Sequence, residues 1–227
     1  MITEEQIESN KNRFIYIISD IKRPCNKDGL IEYLNNSDFF YAPATTMYFG
    51  SYRGGLCEYC LNVYNNFLNL LQTELGLSDR VCAEGDFDTP IIVSLLHAIG
   101  KINCYESYVG NKKVYRENGS KKDYLGKFDW VPYMAYKYRD RENRVIVGNQ
   151  NETSAYVTNF YVPLYVSEYS AILCSSFDYS DSTASNSTIY DSYNTYLTSS
   201  ILHMAIEYTM FINTRAHNNE QNNWKRT

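Results

Sequence analysis

Histidine is nearly missing from this sequence: 227 residues contain three, at positions 97, 203 and 217. A chain so poor in imidazole has little from which to build a metal centre, because hard and borderline divalent ions take N or O donors. Proline (5) and tryptophan (2) are scarce as well. There is no excess of positive charge. Lys and Arg number 21 against 26 Asp and Glu, net -5, which excludes a broad basic surface and with it extended duplex nucleic acid binding. No apolar run approaches about 18 residues, so no contact with a membrane interior is expected. The start, Met1-Ile2-Thr3-Glu4-Glu5, is polar and acidic where a secretory leader would be basic and then apolar. A cytoplasmic, reducing location is therefore the expectation, with the six cysteines as free thiols. Cys57-Glu58-Tyr59-Cys60 has C-x-x-C spacing, but no second Cys or His pair follows at zinc-site distance, so no metal and no cofactor is expected there.

What is present is a chain able to bury a core, with 44% hydrophobic residues and 23 tyrosines. Thr3 to Gln6 reads as a capping box opening a helix over 1–22, with Ile7, Phe14, Ile15 and Ile18 as its apolar stripe. A second short helix is expected over 28–36, then an irregular aromatic stretch to Arg53. Leu56, Cys60, Val63, Tyr64, Phe67, Leu68, Leu71 and Leu75 recur at helical spacing, and Gly76 reads as the stop. Thr89-Pro90 opens an almost wholly apolar helix to Ile102. Residues 104–147 change character: 105–108, 113–116 and 128–138 are strand-like around Asn118-Gly119 and Gly126, with a last extended piece at 145–147. Helices are expected again over 152–165, 167–175 and 196–214, with a long polar loop over 175–195 and a fraying tail from 216 to 227. The expectation is one mainly α domain over 1–215, with a small antiparallel β-hairpin or meander inserted at about 104–147.

Three stretches carry a resemblance. They are Ala42-Pro43-Ala44-Thr45-Thr46 running through Gly50-Ser51-Tyr52-Arg53-Gly54-Gly55-Leu56-Cys57-Glu58-Tyr59 to Tyr64, then Leu95-Leu96-His97-Ala98-Ile99-Gly100-Lys101-Ile102-Asn103, then Leu202-His203-Met204-Ala205-Ile206-Glu207. In this order and spacing the chain resembles the HD-domain phosphohydrolase-like proteins common in bacterial phages, over about residues 38–215. The resemblance implies a helical bundle in which His and Asp side chains from several helices hold one or two divalent metals, and a metal-bound water attacks a phosphoester. It also implies where the ligands would fall, and this chain departs from the pattern there. Tyr59 stands in place of the first His. His97 survives, but its Asp neighbour is Ala98. Asn149 replaces a His, Ser175 falls near a later His, and Ile206 replaces the final Asp. His97 then reads as a core histidine bonded to backbone, and Tyr59 either as an aromatic filling vacated space or as a hydroxyl lining a pocket.

Removal of metals leaves room for a ligand or for repacking. Arg53, Glu58, Lys101 and Gln150, with Asn149, are the polar residues the resemblance places near a pocket mouth, where Arg53 and Lys101 could pair with phosphate. Tyrosines crowd the second half of the chain, and Tyr179, Tyr190 and Tyr193 in the polar loop are candidates for a partner surface, since Tyr combines area, rigidity and a hydroxyl. The leading expectation is a catalytically degenerate HD-like protein, of phage type, that acts by binding. Its partner would be a host or defence protein that it inhibits, or a nucleotide or signal molecule that it sequesters; a homo-oligomer is also possible. One alternative is an active metal-dependent phosphohydrolase using His97, Glu58 and Asp178. Another is a structural or assembly protein that keeps only the fold.

Overall fold

The computed structural model describes residues 2–47, 49–140, 148–175 and 186–223, with side chains of the last stretch described from 187 to 212. Among these residues the chain is mainly helical, with one three-stranded antiparallel sheet. The first helix, α1 (Glu4–Ser19), begins with the capping box: Thr3 accepts from the Gln6 amide and Gln6 answers to the Thr3 amide. Its stripe buries Ile7, Phe14, Ile17 and Ile18. Phe14 meets Phe39 and Phe40 edge-on at ring separations of 4.9 and 5.9 Å, which anchors the irregular 38–53 segment beneath α1. Between them lies α2 (Lys27–Asn35), capped by Asn26.

Helix α3 (Gly55–Leu71) is the centre of the bundle and packs against the fifth and the last helix. It starts where it does because Gly54 is left-handed (φ 83°), and because a Cβ on Gly55 would lie 2.1 Å from the Gly50 carbonyl oxygen. It ends at Leu71, short of the expected Leu75, because Thr73 turns back onto the Leu70 carbonyl with both amide and hydroxyl. Gly76 (φ 81°) therefore opens a further helix, α4 (Leu77–Glu84), which the sequence pattern did not announce. The next helix, α5 (Thr89–Leu96), stops six residues before Ile102. The His97 ring takes the Ser94 carbonyl, which a continuing helix would offer to the amide of residue 98. A short 3-10 turn (Ile99–Lys101) follows, and Gly100 presses against the next helix so closely that a Cβ would lie 2.1 Å from the Gln150 carbonyl oxygen.

The expected strand pieces fuse into longer ones: β1 (Tyr105–Tyr115), β2 (Lys121–Asp123) and β3 (Gly126–Tyr138), in the order β1-β3-β2. Tyr105 faces Tyr138 and Tyr115 faces Phe128, with no slip between. Residues 145–147, expected to be extended, lie outside the described residues. Helix α6 (Gln150–Tyr161) closes over the 3-10 turn, and α7 (Val166–Leu173) packs against α6, α5 and the last helix. Half of the expected polar loop is in fact a helix, α8 (Asn186–Thr195). Two of its hydroxyls face inward: Ser192 bonds Ser170 of α7 at 2.7 Å and donates to Ser199 at 2.9 Å, and the Tyr193 hydroxyl donates to the Cys174 carbonyl at 2.8 Å. The last helix, α9 (Leu197–Asn223), extends into the expected tail as far as Asn223, and 224–227 lie outside the described residues. Its first turn is capped from α4, where the Glu84 carboxylate accepts from the Leu197 and Thr198 amides and the Thr198 hydroxyl. No described helix is long and apolar enough to cross a membrane.

One guanidinium joins these layers. Arg23, in the α1–α2 link, donates through Nε and Nη2 to Asp86, through Nη1 and Nη2 to Glu168, and through Nη1 to the Pro163 carbonyl, all at 2.7–2.8 Å. The Glu168 side chain is fully buried and also accepts from Thr89 Oγ1 and the Tyr165 amide. Burial alone would raise the Asp86 carboxyl, but the Arg23 bonds and the Asp88 and Thr89 amides outweigh it and hold it below the usual carboxylate range. Arg23→Ala leaves the Glu168 charge buried and unpaired, so urea unfolding should show a loss of about 3–5 kcal/mol. Arg23→Lys should recover only part of it, because an ammonium lacks the planar fork.

Candidate functional site

The positions that the resemblance assigns to metal ligands do not share one environment. Tyr59 of α3, His97 and Ala98 after α5, and Ile206 of α9 are buried, at 5%, 4%, 3% and 0% exposure, and belong to one packed core. The Tyr59 ring stands edge-on to His97, with centroids 5.3 Å apart, and Phe49 closes the other side at 5.3 Å. His97 Nδ1 lies 2.8 Å from the Ser94 carbonyl oxygen. A carbonyl can only accept, so the neutral ring carries its proton on Nδ1 and presents a bare Nε2. That Nε2 is buried with no hydrogen-bond partner among the described residues. Burial, against the Ser94 bond and with a smaller contribution from the nearby Lys101 cation, brings the His97 pKa down to about 4. Burial likewise pushes the Tyr59 hydroxyl far up and the Cys60 thiol to about 12. Tyr59, Cys60 and His97 are therefore neutral at physiological pH.

The remaining positions serve elsewhere. Asn149 is the N-cap of α6, exchanging bonds of 2.9 Å with Glu152 in a capping box. The Gln150 carbonyl accepts from Ser154 Oγ, which in turn accepts from the Gly100 amide, both at 2.9 Å. The Gln150 side chain bonds the Tyr105 hydroxyl. Ser175 is buried, and its Oγ has no partner among the described residues. Arg53 is half exposed, paired with Glu4 at 2.9 Å and stacked over Tyr41 at 4.4 Å, so it is engaged on the surface. Glu58 accepts from the Tyr52 hydroxyl. Lys101 donates to the Ala44 carbonyl at 2.9 Å and lies 5.9 Å from the Tyr59 ring centroid.

Of the expected partner surface, Tyr190 is exposed on α8. Tyr193 instead faces inward, its ring stacked on His203 at 4.8 Å. Tyr179 and Asp178 lie outside the described residues, as does the His217 side chain. Cys57 and Cys60 are buried free thiols. Among the described residues no three His, Cys, Asp or Glu side chains are gathered as a metal site.

A groove does exist at the edge of the first motif stretch, where none of the candidate site residues lies. It lies at the root of the β-hairpin, has a volume of about 240 Å³, and is walled by Thr46, Met47, Tyr108, Tyr133, Ala135, Tyr136, Lys137 and Tyr138. The available signal was alternation: Tyr and Lys recur along both long strands, and only their register shows which share a face. Against known proteins, no family model, no curated protein and no solved structure matches the chain.

Because the folded His97 pKa lies below the unfolded value, its contribution to stability is complete above about pH 6.5 and is lost as pH falls toward about 4. The loss should approach about 3 kcal/mol at about 1.4 kcal/mol per unit. His97→Asn can still donate to the Ser94 carbonyl but does not titrate. Urea unfolding from neutral pH to pH 4 should therefore give a flatter pH dependence for the variant. Equal slopes would show that His97 is not the acid-sensitive group.

Proposed function

We propose that this chain is an HD-like domain, of the kind found in phages, whose metal centre has been replaced by packed core, and that it works by binding a host or defence protein rather than by hydrolysis. The reading rests on one observation above the others: Tyr59, His97, Ala98 and Ile206 are buried together with no charged side chain among them. A metal-dependent hydrolytic centre of that kind needs a divalent ion, carboxylates or neutral imidazoles free to ligate, and room for a water. Ala98 and Ile206 offer no donor, and the bare Nε2 of His97 is not gathered with two further His, Cys, Asp or Glu side chains among the described residues.

The same closed centre weighs against sequestration of a nucleotide there, and it directs attention to the surface. The sheet supplies an exposed apolar strip, with Val109 at 69%, Met134 at 56% and Trp130 at 48% exposure, more apolar than a solvated ribbon requires. A structural or assembly role would use such a strip equally well, and the class of the captured protein separates the two.

The purified protein should carry no stoichiometric Mn, Fe, Zn or Ni by elemental analysis and should release no phosphate from nucleotides. Capture from host lysate should yield one stoichiometric protein, lost in Trp130→Ala with Met134→Asp and retained in His97→Asn. Stoichiometric metal with nucleotide hydrolysis would overturn the reading. So would capture abolished by His97→Asn and untouched by the strip substitutions.

A further inference from the structure

The hairpin differs in charge from the rest of the chain. Residues 105–138 contain seven Lys and Arg and four Asp and Glu, net +3, within a chain of net -5; the remainder therefore carries −8. The register sorts these charges onto two faces, because side chains alternate along a strand and cross-strand partners share a side. On the first face Lys113 is paired with Asp123 at 2.8 Å and lies over Phe128 and Trp130. On the second face lie Lys112, Arg116, Lys122 and Lys127, all exposed and none in an ion pair among the described residues. The acid beside them, Asp129, accepts from the Ser120 amide and hydroxyl. Nearer the root of the same face, Glu106 is taken up by Lys137.

The second face also presents flat aromatic surface. The Tyr133 ring lies across Gly110, where a Cβ would come within 3.1 Å of its Cε1. Glycine at that position lets the ring rest on the strand. Tyr133 remains 41% exposed and Tyr108, beside it, 45%. Lys112 Nζ is 5.7 Å from the Tyr133 ring centroid. Both tyrosines also wall the groove against Thr46 and Met47. One face of the ribbon therefore runs from an aromatic groove at the root to a row of cations toward the tip.

We infer that this face binds single-stranded nucleic acid, with bases against Tyr133 and Tyr108 and phosphates along Lys112, Arg116, Lys122 and Lys127. Stacked bases on aromatic rings and cations tracking the backbone are the two components such binding needs. An acidic polypeptide would satisfy the cations but make no use of the open ring faces. A duplex hides its base faces, and its long phosphate rows would meet the acidic remainder of the chain. Tyr108 to Arg116 spans about 26 Å of strand, long enough for a site at the short end of the known range, about 4 nucleotides. The inference goes beyond protein capture and does not rest on it.

Fluorescence anisotropy of the full chain tests it, with labelled oligo-dT and oligo-rU of about 12 nucleotides, at about 50 and 200 mM salt. Saturable binding is expected, weaker at the higher salt. Lys112→Ala and Arg116→Ala should each reduce the salt slope by about 0.7. Tyr133→Ala should weaken binding about tenfold with the slope unchanged. Tyr133→Leu, which keeps bulk over Gly110, should weaken it similarly, so that a folding defect in the alanine variant cannot account for the loss. Lys121→Ala, on the other face, should change nothing. Three results would overturn the inference: no binding at the lower salt, duplex of equal length bound as well as single strand, or poly-glutamate displacing the oligonucleotide as readily as unlabelled oligo-dT. The last would assign the face to an acidic polypeptide.

Discussion

The five N–H groups of Arg23 are all used, and the groups they meet come from distant parts of the chain. Asp86 lies in the turn between α4 and α5, Pro163 between α6 and α7, and Glu168 in the first turn of α7. The α1–α2 link is fixed further by Asp88, whose carboxylate accepts the Lys22 and Arg23 amides at 2.8 and 2.6 Å. Because Glu168 is wholly buried, its charge is tolerable only while the guanidinium is in place. The same cluster sets where α5 begins, since Thr89 bonds both Glu168 and the Asp86 amide. The position of α5 in turn fixes His97 against Tyr59.

The centre of the bundle follows from that placement. With α3, α5 and α9 held at packing distance, the side chains between them decide what the space is for. Here they are tyrosine, alanine, isoleucine and a histidine held neutral by burial. The cost is one imidazole nitrogen without a described partner. A buried acceptor of this kind is destabilising by about 1–3 kcal/mol. The surrounding apolar contacts offset that loss.

The helices whose signals are local were legible in the sequence. The Thr3 capping box and the stripe of α3 depend on residues three and four apart; the first is found as read, and the second as far as Leu71, with Leu75 exposed beyond the helix. Helix α4 was missed because Gly76 was read as an end, the commoner place for a left-handed glycine, whereas here it precedes a helix. Helix α8 was missed because Ser, Thr and Asn read as loop until Ser170 and Ser199 supply partners from other helices. The Arg23 cluster could not be read at all, since its partners lie 63 and 145 residues away. Asn149 looked like a lost ligand in the sequence, and the structure gives it a local task as a helix cap. The strand alternation was visible, but the division of the hairpin into an apolar and a cationic face required the register.

The proposed loss of the metal site rests on the buried, neutral His97 ring. Nuclear magnetic resonance of the ring nitrogens, assigned by comparison with His97→Asn, tests it directly. The expected result is a neutral ring protonated on Nδ1 down to a pKa of about 4, with nitrogen shifts that do not move when Zn²⁺ is added in stoichiometric amount. A pKa near 6.5, or a zinc-induced shift at Nε2, would contradict it.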